Sequence, residues 1–200
     1  MGIEVSWHSK QGQRTDDNRD YCGVGLRDDD ALCIVLDGST SGANSGEFAR
    51  LIARDLIDWF MAAGKVNPDA IIDRLSYIHT NLTPRFRKGS ASYVVALIGY
   101  EGTVRLLYAG DCLAGLRKGV SAIEWRVRPH TLANAITDMP ITKIASSPLR
   151  NRLTRSFRAR EFMTPDDEEL ALRGDNALVL ATDGFRAALD MESQARVLAA

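Results

Sequence analysis

The sequence predicts an α+β domain in which antiparallel sheets pack against helices. Three observations carry this: strand-length apolar runs come first, two helix-period stretches follow, and strands then resume without βαβ alternation. With 200 residues, 45% of them hydrophobic, the chain can bury one core, so a single domain over 1–200 is expected. The 25 basic and 26 acidic residues nearly cancel. A general nucleic-acid or anionic-membrane binder would carry a basic excess, so neither partner is expected.

Each element has its own signal. Ile3 to Trp7 alternates apolar and polar residues and predicts a first strand. Tyr21 to Leu26 and Ala31 to Leu36 flank Asp28-Asp29-Asp30, which predicts a hairpin with a solvated acidic turn. From Ser45, residues Phe48, Ile52, Leu56 and Phe60 recur at helical spacing until Gly64. A second helix opens with Asn67-Pro68-Asp69: an N-cap, a proline at the first helical position and an acid at the positive end of the dipole. It runs to Pro84, and His79 on it is read as a packing or surface residue. Tyr93 to Tyr100 and Thr103 to Ala109 make a hairpin across Glu101-Gly102. Leu113 to Arg117 and Ala122 to Val127 pair across Lys118-Gly119. Pro129 to Pro148 has no clean period. Leu149 to Arg160 predicts a short helix, Ala177 to Thr182 a buried strand, and Met191 to Ala199 a terminal helix.

The cysteines, Cys22, Cys33 and Cys112, are odd in number and form no C-x-x-C pair. A reduced, cytoplasmic protein is the expectation. Cys22 and Cys112 each meet an arginine one residue too early for a C-x5-R phosphate loop, which argues against thiolate chemistry. No basic segment precedes an apolar one at the N-terminus, so no signal peptide is expected. Gly2 and Ser6 fit the bare myristoylation pattern, a short match that a first strand explains as well. The most apolar stretch, Tyr93 to Tyr100, is too short to span a bilayer.

The most informative pattern is that three apolar strands end in aspartate. They are Leu32 to Asp37-Gly38, Leu106 to Asp111, and Ala177 to Asp183-Gly184. A carboxylate beside a buried strand costs desolvation unless a cation or hydrogen bonds compensate. Carboxylates with a backbone carbonyl are the ligands Mg²⁺ and Mn²⁺ prefer. Asp20, preceding the first hairpin strand, is a fourth strand-end acid, and Arg14 nearby could present a guanidinium to phosphate. Taken alone, each acid could simply close a turn.

Together these segments resemble the metal-dependent serine/threonine phosphatases of the protein phosphatase 2C (PPM) type, in the family's motif order from about Trp7 to Leu189. Arg14 with Asn18-Arg19-Asp20 resembles R-x-x-N-E-D, and Val35-Leu36-Asp37-Gly38 resembles V-x-D-G. Gly89-Ser90-Ala91-Ser92, Gly110-Asp111-Cys112 and Thr182-Asp183-Gly184 resemble the G-T-T, G-D-S and S-D-G segments. The resemblance implies a four-layer αββα sandwich with a Mn²⁺ or Mg²⁺ pair at one end and a looser third ion. Asp37 would bridge both metals, and the Gly38 carbonyl would bind one. Asp183 would bind the other, Asp20 would hold metal-bound waters, and Asp111 would serve the third site. Arg14 would grip the phosphate of a phosphoprotein substrate, which a metal-activated water attacks in line. A monomer is expected.

Departures from the pattern keep alternatives open. Arg19 stands where the family has a metal-binding glutamate, Ser39-Thr40-Ser41-Gly42 replaces the glycine pair, and the 200 residues hold no closing D-N strand. The domain is therefore expected to be short at its C-terminus, and a pseudophosphatase that binds a phosphoprotein or regulatory partner is the main alternative. A serine hydrolase built on Ser39 or Ser41 is the other, with His8, His79 or His130 as base. The arginines from Arg150 to Arg160 could steer acidic substrates, or simply pair with Glu161, Asp166 and Asp167. The irregular stretch 129–148 would be the family's variable flap, with His130-Thr131 near its D-H-S position.

Overall fold

A computed structural model describes residues 3–11, 17–40, 44–137, 139–144, 146–189 and 191–198. Strands β1 (Asp20–Leu26), β2 (Asp30–Gly38), β3 (Ser90–Gly99) and β4 (Thr103–Ala109) form the antiparallel body of the larger sheet. A later strand joins its edge beside β4. A smaller sheet is centred on β5 (Leu113–Lys118), with β6 (Glu124–Trp125) on one side and β9 (Asn176–Ala181) on the other. Helices α1 (Ser45–Ala62) and α2 (Pro68–Leu82) connect β2 to β3.

The periodicity of β2 explains the layering. Leu32, Ile34 and Leu36 point to one face, where they join Phe48, Ile52, Leu56 and Phe60 of α1. Ala31 and Cys33 point to the other, with Val94, Ala96 and Ile98 of β3 and Leu113 and Ala114 of the smaller sheet. A strand covered on both faces reads as an unbroken apolar run, as 31–36 and 93–98 do. Each fully buried Leu, Ile or Phe of α1 contributes roughly 1.5–3 kcal/mol. The Asn67 side chain accepts from the Ala70 N–H at 2.8 Å, so the cap of α2 forms as its sequence implies. Beyond the smaller sheet lie α5 (Asp183–Ala188) and α6 (Met191–Val197). The Phe185 ring meets Trp125 edge-on, and Arg117 donates to the Leu198 carbonyl at 3.2 Å.

Several expectations are corrected. Residues 3–7 form no strand, and Trp7 is 65% exposed. The alternating pattern is there, but a strand needs a partner to satisfy its backbone. Residues 149–160 form no helix: turns lead into β7 (Phe157–Arg158), which pairs with Ser90 and Ala91 of β3. Phe157 drives this, because its buried ring packs against Phe48, Tyr93 and Phe162. Short helices α3 (Leu132–Ile136) and α4 (Ile141–Ile144) occupy part of the aperiodic stretch. The strand that escaped sequence reading is β8 (Asp166–Ala171), the edge strand beside β4. Its Asp-Asp-Glu-Glu start hides one buried leucine, Leu170.

Candidate active site

Sheet register gathers the acids. Asp20 lies opposite Asp37, and Asp37 lies opposite Ser92. Cross-strand neighbours share a face, so all three look toward the smaller sheet, as Cys33 and Val94 do. Ladder pairing of β3 with β4 ends at Tyr93 and Ala109. The chain then turns at Gly110, φ +113°, where a Cβ would lie 2.3 Å from the Ser92 hydroxyl. Only glycine fits there. The turn delivers Asp111 to Ser92, whose hydroxyl donates to Asp111 Oδ1 at 2.6 Å and accepts from the Asp111 N–H at 3.2 Å.

Asp183 arrives from the other sheet, two residues beyond the end of β9. Its neighbour Thr182 donates to Asp20 Oδ2 at 2.8 Å, tying together residues 162 positions apart. The charges of Asp20, Asp111 and Asp183 all act on Asp37. Thus Asp20, Asp37, Asp111 and Asp183 meet at one end of the two sheets. Gly38 closes β2 beside them, and a Cβ there would lie 2.8 Å from the Ser45 carbonyl of α1.

The electrostatics are those of an uncompensated acidic site. Burial, then the charges of Asp20, Asp111 and Asp183, push Asp37 up to about 9. Burial, then Asp183, push Asp111 up to about 6, against the Ser92 hydrogen bond. Asp20 is also raised, mainly by burial, although Thr182 works the other way. Hard oxygen donors repelling one another in a half-buried site suit a small dication in chemistry. The arrangement is not a closed cage: among the described residues no group of three or more His, Cys, Asp or Glu side chains is set to hold a metal. Ser92 and Thr182 instead donate to Asp111 and Asp20.

Arg19 is bonded at the Gly38 turn. Its Nε donates to Asp17 at 2.8 Å and its Nη1 to the Ser39 carbonyl at 3.1 Å, while its own carbonyl accepts from Gly38. Arg14 and Asp16 lie outside the described residues, as do Ser41 and Gly42 of the serine-hydrolase reading. Of that reading's bases, His79 bonds the Arg158 carbonyl and packs between Phe157 and Phe162. His130 is engaged elsewhere too. Its Nδ1 accepts from the Gly110 N–H at 3.1 Å, and Nε2 lies 3.0 Å from Asp166. The Gly110 bond requires an unprotonated Nδ1, so the neutral ring carries its proton on Nε2 and donates to Asp166. The ring stacks on Tyr108, and the His130 N–H donates to the Gly110 carbonyl at 2.7 Å. His130 therefore clamps the turn that presents Asp111.

No family model matches the sequence, and no curated protein matches it. Solved structures do match. The serine/threonine phosphatase Stp1 from Staphylococcus aureus has 20% identity and a TM-score of 0.79, over 100% of this chain and 87% of that one. The S. agalactiae serine/threonine phosphatase has 19% identity and a TM-score of 0.80, over 98% and 86%. The PPM Ser-Thr phosphatase MsPP from Mycobacterium smegmatis, solved with cacodylate, has 18% identity and a TM-score of 0.76, over 96% and 82%.

The chain has the PPM phosphatase fold. Within that fold the four acids singled out from sequence come together, and Gly38 stands with them. Sequence reading missed Ser92, Thr182 and His130 as the groups that hold these acids. Ser92 was visible only as part of a strand entry. Thr182 carried a signal, since it directly precedes a strand-end aspartate.

Proposed function

We propose that the chain is a metal-dependent phosphatase acting on phosphoserine or phosphothreonine in proteins. The observation that carries this reading is the convergence of Asp20, Asp37, Asp111 and Asp183, with Asp37 pushed up to about 9 and Asp111 to about 6 by burial and neighbouring acids. Asp37, Asp183, Asp111 and the Gly38 carbonyl would hold Mg²⁺ or Mn²⁺, with Asp20 at the periphery. When bound, the ions would supply Lewis acidity for water activation and offset charge on a phosphoryl group. Ser92 and Thr182 would orient Asp111 and Asp20 toward that space. Arg14 is our candidate for holding the substrate phosphate.

The test is hydrolysis of a phosphoserine peptide across a Mn²⁺ and Mg²⁺ titration. Metal-dependent turnover that falls at least about a thousandfold in Asp37→Asn supports the reading. A folded protein that is inactive up to millimolar metal overturns it. Arg19, a cation next to the Gly38 turn, favours the second reading, a pseudophosphatase that binds phosphoprotein without turnover. Binding of the phosphopeptide without hydrolysis would select that one. Cytoplasmic localisation is part of the proposal. No helix among the described residues is long and apolar enough to cross a membrane.

A further inference from the structure

Asp166 opens the edge strand β8 and lies opposite Tyr108 of β4. Cross-strand partners share a face, so its carboxylate stands beside the ring that stacks on Tyr108. That ring is His130, with centroids 5.3 Å apart and planes 9° from parallel. The two Asp166 oxygens divide their work. Oδ1 accepts from Arg155, whose Nη2 donates to the Thr164 carbonyl, and Oδ2 lies 3.0 Å from His130 Nε2.

The main chain of His130 is fixed on both sides. Its N–H donates to the Gly110 carbonyl at 2.7 Å, and its carbonyl accepts from the Thr154 N–H at 2.9 Å. Neither bond fixes the ring. Stacking on Tyr108 does not fix it either, because a ring turned over about its Cβ–Cγ bond lies in the same plane. Turned over, it would set Cδ2–H against the Gly110 N–H and Cε1–H against Asp166. A neutral ring with its proton on Nδ1 would set two N–H groups against each other at Gly110. A carboxylate only accepts, so Asp166 admits one state: Nε2 protonated toward it, and Nδ1 bare toward Gly110. Burial pulls His130 below the ordinary histidine value, against the pull of Asp166, so the ring is neutral at neutral pH. The Gly110 turn then sets Asp111, whose N–H and Oδ1 both bond Ser92.

We propose that Asp166 is a positioning residue for the acid cluster, acting through the His130 ring on the Gly110 turn and so on Asp111. Arg155 holds Asp166 for this task, and β8 is thereby coupled to the site. The proposal deepens the phosphatase reading and rests on it only for the metal that Asp111 would serve.

The test reads the ring first. Long-range ¹H–¹⁵N spectra of the metal-free protein at neutral pH should show His130 protonated on Nε2. Its signals, among those of three histidines, are assigned by their loss in His130→Ala. Asp166→Ala should mix the tautomers, speed exchange of the Gly110 amide about tenfold and weaken Mn²⁺ binding roughly tenfold. Asp166→Asn, whose amide oxygen can accept from Nε2–H, should restore the tautomer and most of the affinity although it lacks the charge. Asp167→Ala breaks the neighbouring β8 ion pair with Arg105, and should lower stability without moving the tautomer or the affinity. An unchanged His130 pattern or unchanged Gly110 exchange in Asp166→Ala overturns the positioning role. So does the same loss in Asp167→Ala, which would show only a loosened edge strand. Equal losses of affinity in Asp166→Ala and Asp166→Asn overturn it too, since they would show charge acting at a distance. If wild type binds no Mn²⁺, the metal reading fails, while the tautomer and the amide exchange still decide the role of Asp166.

Discussion

The two ends of β2 both carry aspartate, yet they do opposite things. At one end Asp28, Asp29 and Asp30 are adjacent in sequence. At the other, Asp37 joins three acids distant in sequence. Asp30 and Asp37 lie seven residues apart on one strand, roughly 23 Å at about 3.3 Å per residue. The hairpin acids are solvated or paired: Asp28 and Asp29 are exposed, and Asp30 takes both ends of the Arg27 fork at 2.5 and 2.6 Å. Arg27 also donates to the carbonyls of Phe60, Ala63 and Gly64, closing the end of α1. At the Asp37 end, burial and neighbouring charge raise Asp20, Asp37 and Asp111 instead. Density of charge along the chain marked the structural end. Convergence of scattered charge marks the candidate site.

The sharpest way to break this comparison is pH. The raised Asp37 keeps its proton in the folded state, while the unfolded carboxyl loses it near its ordinary 3.8. Unfolding therefore releases a proton between about pH 4 and 9, and stability falls as pH rises through that window. Asp20 and Asp111 act in the same direction. Metal-free protein should be more stable at pH 5 than at pH 8 by on the order of a few kcal/mol, and Asp37→Asn should flatten the slope. Added Mg²⁺ or Mn²⁺ should recover stability at pH 8. Denaturant melts at the two pH values check this, and metal-free stability that rises from pH 5 to 8 would contradict the buried cluster.

His130 sharpens the same comparison from outside the cluster. It touches the Gly110 turn rather than any proposed ligand, so its replacement tests whether presentation of Asp111 matters. His130→Ala should weaken metal binding roughly ten- to a hundredfold. His130→Asn, which can keep an acceptor for the Gly110 N–H, should recover part of the loss. Isothermal titration with Mn²⁺ reads both, and equal affinities in wild type and His130→Ala would sink the positioning role.

Much of this end was legible because the signals were local. Three apolar runs ending in aspartate needed no knowledge of tertiary structure, and the turn residues around β3 and β4 fixed their pairing. What was hidden depended on distant partners. Thr182 bonds Asp20 across the two sheets, and His130 reaches Gly110 from beyond β5 and β6. Strand β8 was concealed by its charge: Arg105 of β4 pairs with Asp167 and lies opposite Glu169, so an edge strand reads as a solvated acidic run. Phe157 overruled the helical reading of 149–160 by seeking the core. Residues 3–7 show the converse, a strand pattern with no strand to join.

At the hairpin end the expected effects are on stability alone. Arg27→Met removes three carbonyl contacts and the Asp30 pair from a side chain only 18% exposed. A loss of about 2–4 kcal/mol is expected in urea unfolding, with metal affinity unchanged.

Asp29→Asn is the smallest change and the strictest control. It removes one charge from a run of three consecutive aspartates, so a reading based on charge density would predict weaker metal binding. Asp29 is exposed at the hairpin turn, and its charge acts on the neighbouring Arg27. Stability should stay within about 0.5 kcal/mol, and Mn²⁺ affinity should not move. A measurable drop in that affinity would mean that the hairpin acids bind cations after all, and that the contrast between the two ends of β2 is one of strength rather than kind.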